Sequence, residues 1–92
     1  MEVEYDPAKN ARNINERKIS FNQVADLDRN SILIRLDDRH DYGEQRWIAL
    51  GLLAGRLHVL VFTETVTGIR VISFRKANAR ERKAYEQAQT TY

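Results

Sequence analysis

Arginine and lysine are concentrated at the end of the chain, where their types and spacing suit an anionic ligand. Residues 69–92 carry six basic side chains against two acidic ones, a local net charge of +4. Four of the basic residues flank one change of sequence pattern, and they are Arg70, Arg75, Lys76 and Arg80. A guanidinium group matches a phosphate through two parallel hydrogen bonds. We therefore expect a phosphate or a similar anion to bind here.

A strand and a helix must position these basic residues. Alternation with a period of two predicts a strand from Ile69 to Arg75. Its two sides are predicted to carry Ile69, Val71 and Ser73 on one, and Arg70, Ile72 and Phe74 on the other. A helical period then predicts a helix over Asn78–Gln89, with Asn78 as the N-cap and Glu81 completing a capping box. The unpaired N–H groups of the first turn would add to the anion site.

The rest of the chain shows the same two periods. We predict helices at Pro7–Arg17 and Phe21–Leu27, and an edge strand at 1–5. Further strands are predicted at Ile32–Leu36, Glu44–Gly51 and Arg56–Thr63, with a polar loop at Asp37–Gly43. Short connections favour an antiparallel meander, and helices from both chain ends would cover its apolar face. The pattern therefore predicts a two-layer α+β domain.

Length and composition restrict the protein class. Ninety-two residues with 42% hydrophobic content fit one domain, 1–92, with one modest core. The chain has no cysteine, which excludes disulfides and thiolate metal sites. No apolar run is long enough to span a bilayer, and the acidic first residues are unlike a signal peptide. We therefore expect a cytoplasmic protein without a membrane partner.

Four short motifs make the chain resemble a known family, the BrnT toxins. They are E-Y-D-P-A-K-N at Glu4–Asn10, N-x(5)-I-S-F at Asn13–Phe21, G-E-x-R at Gly43–Arg46, and V-I-S-F-R-K-A at Val71–Ala77, the last followed by R-E-R-x-x-Y-E. Their order and spacing together carry the resemblance. The chain departs from the family at Glu16-Arg17-Lys18, where many relatives have Lys-His-Gly.

The resemblance implies a RelE-like fold, with a mostly antiparallel sheet of four to five strands, N-terminal helices and a C-terminal helix. It implies an endoribonuclease toxin of a type II toxin–antitoxin pair that needs no metal or other cofactor. Its partners would be RNA and a BrnA-like antitoxin, with operator DNA bound only indirectly through the antitoxin.

RNA cleavage of this kind uses the 2′-hydroxyl as nucleophile and needs positive charge at the phosphate. The catalytic candidates are Glu64, Arg70, Arg75 and Arg80. The substrate-binding candidates are Arg46, Ser73, Lys76 and Tyr85. Each also has a plainer explanation. The arginines fit a solvated face or surface ion pairs, Glu64 a turn, Tyr85 packing on the sheet, and Ser73 a cross-strand hydrogen bond.

The two histidines, His40 and His58, are the residues to consider for proton transfer. His58 lies within an apolar strand and suits a core or half-exposed position, while His40 suits an exposed loop, and either could serve as acid or base. The D-D-R-H-D stretch lacks regular ligand spacing, so we predict no metal site. Because the sequence offers no unambiguous general base, a second class stays open: a non-catalytic module that binds RNA or protein.

Overall fold

The computed structural model describes residues 1–90, which form a five-stranded sheet and two α-helices. One α-helix follows the first strand in the chain, and the other follows the last strand. The strands are β1 (Glu2–Glu4), β2 (Leu33–Asp37), β3 (Arg46–Leu53), β4 (Arg56–Glu64) and β5 (Gly68–Lys76). The α-helices are α1 (Pro7–Arg17) and α2 (Ala79–Thr90), and two 3₁₀-helices, Phe21–Asp26 and Arg29–Ser31, connect α1 to β2. The predicted α+β class is confirmed, and α1 has the predicted bounds.

The sheet is mixed, which corrects the predicted antiparallel topology. Strands β2 to β5 form the expected antiparallel meander, but β1 pairs parallel to β5, in the order β1-β5-β4-β3-β2. The two strands meet closely at Gly68, where an added Cβ would clash with the carbonyl oxygen of Glu2. A period of two identifies a strand but not its direction, so the sequence pattern left the partner of β1 undetermined.

Two separate apolar clusters cover the two faces of the sheet. One packs Phe21 and Val24, from the first 3₁₀-helix, against β4 and β5, and we call this side the α1 face. The other gathers Ile48 and Val61 with Tyr85 of α2, and we call it the α2 face. The predicted two-layer arrangement is therefore wrong. Because β4 is apolar on both sides, burial requires helices on both faces of the sheet.

Buried asparagines fix α1 against the sheet. The amide of Asn13 donates to the carbonyl oxygens of Ile19 and Phe74, each at 3.0 Å. The side-chain oxygen of Asn10 accepts from the backbone N–H of Phe21 at 2.8 Å. These bonds satisfy backbone groups where the chain leaves α1 and where β5 ends. Two of the sequence motifs therefore have a structural role.

Candidate nucleic-acid interface

A bulge in β5 decides which way its arginines point. The pairing register of β4 and β5 shifts between Val61 and Phe62, which leaves Ile72 as an extra residue on β5. An extra residue inverts the alternation of side chains beyond it. Residues that an unbroken strand would place on opposite faces therefore come to the same face.

The bulge gathers three candidate residues on the α2 face. Arg70 pairs with Thr63 before the bulge, and Ser73 and Arg75 pair with Val61 and Val59 after it. Phe74 turns into the core on the α1 face and is fully buried. The prediction that Ser73 faces away from Arg70 is wrong for this reason. Along the strand, Arg70 and Arg75 are separated by about 13 Å, with Ser73 between them.

Charged residues form one line across the α2 face, at the end of the sheet where β2 and β4 finish and β3 begins. In the register of the sheet, Asp37 is the cross-strand neighbour of Arg46. Arg70 lies between two such neighbours, Thr63 on β4 and Glu4 on β1. Arg46 comes one residue before the paired stretch of β3 and β4, so it continues this line beside Thr63. Two arginines therefore flank Thr63 near the end of β4, the central strand of the sheet.

Further guanidinium groups border the same face. Arg35 pairs with Ile48, one step along the sheet from Arg46, and its charge helps to lower the pKa of Glu81. The positive charge of Arg39 acts to lower the pKa of Arg75, so the side chain of Arg39 also faces this region. A surface with several arginines of this kind attracts a polyanion and releases its counterions on binding.

The corner between β5 and α2 already contains an anion, the carboxylate of Glu81. Arg75 donates to both of its oxygens, at 2.8 and 2.9 Å, and the backbone N–H of Asn78 donates at 2.9 Å. The side chain of Asn78 in turn accepts from the N–H of Glu81 at 2.8 Å. The predicted capping box is therefore confirmed. The hydrogen bonds from Arg75 lower the pKa of Glu81, so the carboxylate is charged at neutral pH.

Arg80 differs from Arg75 in having an exposed and unengaged side chain. It lies in the first turn of α2, and it forms no ion pair with any residue in 1–90. Among the described residues, Arg80 therefore does not form the surface ion pair that the sequence left open for the arginines. A phosphate at the corner would meet the free guanidinium of Arg80 but would have to compete with Glu81 for Arg75.

Asp37 organises the loop between β2 and β3. Its side chain is fully buried and accepts from Arg39 at 2.7 and 2.8 Å and from the hydroxyl of Tyr42 at 3.3 Å. The bonds from Arg39 hold the pKa of Asp37 far below its ordinary value. The guanidinium of Arg46 lies 4.1 Å from the ring centroid of Tyr42, a cation–π contact, and pairs with Glu44 at 3.3 Å.

The sequence pattern does not predict this arrangement, because Asp37 falls in the polar stretch Asp37–Gly43, whose spacing suits neither a strand nor a metal site. An acid directly after an apolar strand and two residues before an arginine was the available signal. Among residues 1–90, no three His, Asp or Glu side chains converge as metal ligands.

Three other predicted residues do not join the arginines. Glu64 pairs with Ile69 and faces the α1 side, beside Trp47 and Phe62. Lys76 pairs with His58, also on the α1 face. Tyr85 lies on the α2 face, as the arginines do, but it packs against the sheet. Its hydroxyl donates to the carbonyl oxygen of Ser31 at 2.5 Å. Their proposed roles stay predictions.

His58 is buried and lines a pocket on the α1 face. Its Nδ1 lies 2.7 Å from the carbonyl oxygen of Arg56, and its ring stacks at a tilt on Phe74. Because a carbonyl only accepts, Nδ1 carries the proton. Burial lowers the pKa of His58, so the ring is neutral at pH 7. These contacts agree with the core position expected for His58.

Fold and surface together define a class: a small α+β protein whose basic sheet face suits RNA or another polyanion. Residues 5–81 match the family model described as ribonuclease toxin, BrnT, of type II toxin-antitoxin system. The chain belongs to this family, and the resemblance seen in the sequence is confirmed. Membership implies ribonuclease activity and an antitoxin partner. A comparison with curated proteins gave no match. No helix within residues 1–90 is long and apolar enough to cross a membrane.

Proposed function

We propose that the chain is an endoribonuclease that cleaves RNA on its α2 face without a metal ion. The observation that carries the proposal is that Arg46, Arg70 and Ser73 lie on the same face of the sheet. Their guanidinium groups supply the positive charge that a transferring phosphate requires. Arg80 extends the same surface at the start of α2.

In the proposed reaction, the 2′-hydroxyl of one nucleotide attacks the adjacent phosphorus. The P–O5′ bond breaks, and the products are a 2′,3′-cyclic phosphate and a 5′-hydroxyl. Arg70 and Arg46 hold the non-bridging oxygens, and Ser73 donates a hydrogen bond to the same phosphate. Arg75 has a positioning role and does not contact the phosphate, because its guanidinium is bound to Glu81 and so holds α2 against β5.

The proposed partner is a BrnA-like antitoxin that neutralises the toxin and carries the pair to operator DNA. The family supports an antitoxin in general, and the resemblance of the motifs supports this type. The likeness to RelE enzymes and the cytoplasmic location stay predictions.

One observation favours the alternative, a non-catalytic module that binds RNA or protein. Three carboxylates near the arginines are already engaged: Glu81 by Arg75, Glu44 by Arg46 and Asp37 by Arg39. A group bound in this way is a poor acceptor for the proton of the 2′-hydroxyl. The alternative predicts RNA binding without cleavage.

The test is incubation of the purified chain with an end-labelled RNA in EDTA. We expect fragments ending in a 2′,3′-cyclic phosphate, and a loss of about a hundredfold in rate for Arg70→Gln. Arg12→Gln is the matched control, since Arg12 is an exposed arginine on α1. Cleavage that stops in EDTA and returns with a divalent cation contradicts metal independence. RNA binding with no cleavage in either condition supports the alternative.

A further inference from the structure

The sheet has two free edges, and they differ in a way that points to a docking site. At one edge, β1 has only three residues, and two of them are glutamates. Short length and charge are the usual protection of an edge against pairing with other chains. At the other edge, β2 has five residues, and Leu33, Ile34 and Leu36 are all exposed. Ile34 is 57% exposed.

Apolar grooves lie on both sides of β2. On the α1 face, a groove of about 440 Å³ runs from Ile34 past Trp47 to Phe62. On the α2 face, a smaller groove of about 200 Å³ lies between Leu33 and Ala88 of α2. A strand added beside β2 would project its side chains alternately to the two faces. Its backbone would pair with β2, and its side chains would enter the two grooves.

A second copy of the chain is a poor occupant for this edge. The antiparallel register that pairs all five residues of β2 with their symmetry equivalents places Arg35 directly opposite Arg35. Like charges in direct cross-strand positions are destabilising. An acidic residue opposite Arg35 would instead form a favourable pair, and Arg39 adds a second, 57% exposed cation near the end of the strand.

We propose that β2 is the docking edge for the antitoxin, which adds an extended segment to the sheet. The segment carries apolar side chains opposite Ile34 and Leu36 and an acidic side chain opposite Arg35. The inference rests on the antitoxin partner that family membership implies, but not on catalysis by the arginines. Docking at this edge places the antitoxin beside the basic face, because Arg35 belongs to both surfaces.

The experiment measures the affinity of the full chain for its cognate antitoxin, produced separately. We expect Ile34→Lys and Leu36→Lys each to weaken binding by about tenfold or more, because a charge would enter an apolar contact. Val66→Lys is the matched control: Val66 is fully exposed in the turn between β4 and β5, away from β2. We expect its affinity to match that of the parent chain. Cleavage of RNA by free Ile34→Lys should equal that of the parent.

Hydrogen exchange of the complex identifies strand addition. We expect the amides of residues 33–37 to exchange more slowly when the antitoxin is bound, and those around Val66 to be unchanged. Equal affinity for the parent, Ile34→Lys and Leu36→Lys would overturn the proposal. So would a dimer of the free chain that Ile34→Lys dissolves without changing antitoxin binding. A parent chain that cleaves RNA yet binds no antitoxin would overturn the docking inference alone, and the proposed ribonuclease would stand.

Discussion

Arg75 and Glu81 form a bidentate ion pair across the corner between β5 and α2, with N–O distances of 2.8 and 2.9 Å. The pair occupies the position where the sequence predicts a bound phosphate. Because the side chains are 35% and 26% exposed, the pair is only partly screened by solvent. Its first effect is to hold α2 against the sheet, and any role in binding RNA requires Glu81 to give way.

The ion pair leads to different expectations for Arg75→Ala and Arg80→Ala. Arg75→Ala should lower the free energy of unfolding by about 1 kcal/mol, because it removes the partner of a half-buried carboxylate. Arg80→Ala should leave stability unchanged and slow RNA cleavage by about tenfold or more, because the lost side chain is free to meet phosphate. Melting temperature and cleavage rate, measured on both variants, test the two expectations.

Arg82→Ala serves as the control for both, since Arg82 lies on the exposed part of the same helix. If Arg75→Ala melts like the parent and cuts RNA far more slowly, Arg75 acts on the phosphate directly and the supporting role is wrong. If Arg80→Ala cuts at the parent rate, Arg80 lies outside the RNA path.

Asn13 is predicted to contribute strongly to the stability of the folded chain, because it connects α1 to the sheet. It is buried, and its amide bonds two carbonyl oxygens, those of Ile19 and Phe74. Asn13→Ala would leave both without their donor, at a cost of about 2–4 kcal/mol in the free energy of unfolding. Asn15→Ala, on the exposed side of the same helix, should cost less than about 0.5 kcal/mol. Chemical denaturation of the two variants provides the comparison, and equal losses would contradict the assignment.

Local rules in the sequence predicted the elements well, because their causes are local. Asp6 and Pro7 begin α1, and its predicted end at Arg17 is correct. The capping box of Asn78 and Glu81 was also visible in the spacing alone. A cap needs only the residues within one turn, so no tertiary information is required to find it.

One feature that determines the site was not local. The bulge at Ile72 depends on how β4 and β5 pair, and it alone brings Arg75 to the same face as Arg70. Long-range pairing fixes the bulge, and periodicity within one segment does not report it. The contacts of Asp37 are local by comparison, because Arg39 and Tyr42 lie two and five residues further along the chain.

The neutral, buried His58 should make stability depend on pH near neutrality. Burial lowers its pKa in the folded chain below the 6.5 of the unfolded chain, and the charges of Lys76 and Arg56 act in the same direction. As pH falls below 6.5, the unfolded chain gains a proton that the folded chain does not bind. Stability is therefore highest above this pH and falls below it, until the folded-state pKa is reached.

His58→Gln should remove this part of the pH dependence between pH 7 and 5, because an amide does not titrate. His40→Gln is the control, since His40 is exposed in the β2–β3 loop. The free energy of unfolding, measured across this range, should flatten for His58→Gln and keep the parent slope for His40→Gln. The same slope in all three chains would show that His58 titrates alike in both states.

Binding of single-stranded RNA should report how many arginines contact phosphate. Each phosphate contact contributes about −0.7 to the slope of log affinity against log salt for a single strand. Arg70→Gln should make the slope shallower by about this amount, because Arg70 lies at the centre of the basic face with no ion pair to any residue in 1–90. Arg12→Gln, at an exposed position on α1, should keep the parent slope. Fluorescence anisotropy of a labelled, uncleavable RNA with 2′-deoxy nucleotides measures both slopes without interference from cleavage. If Arg12→Gln changes the slope as much as Arg70→Gln does, the RNA is held by the general positive charge of the chain, and the α2 face is not its specific site.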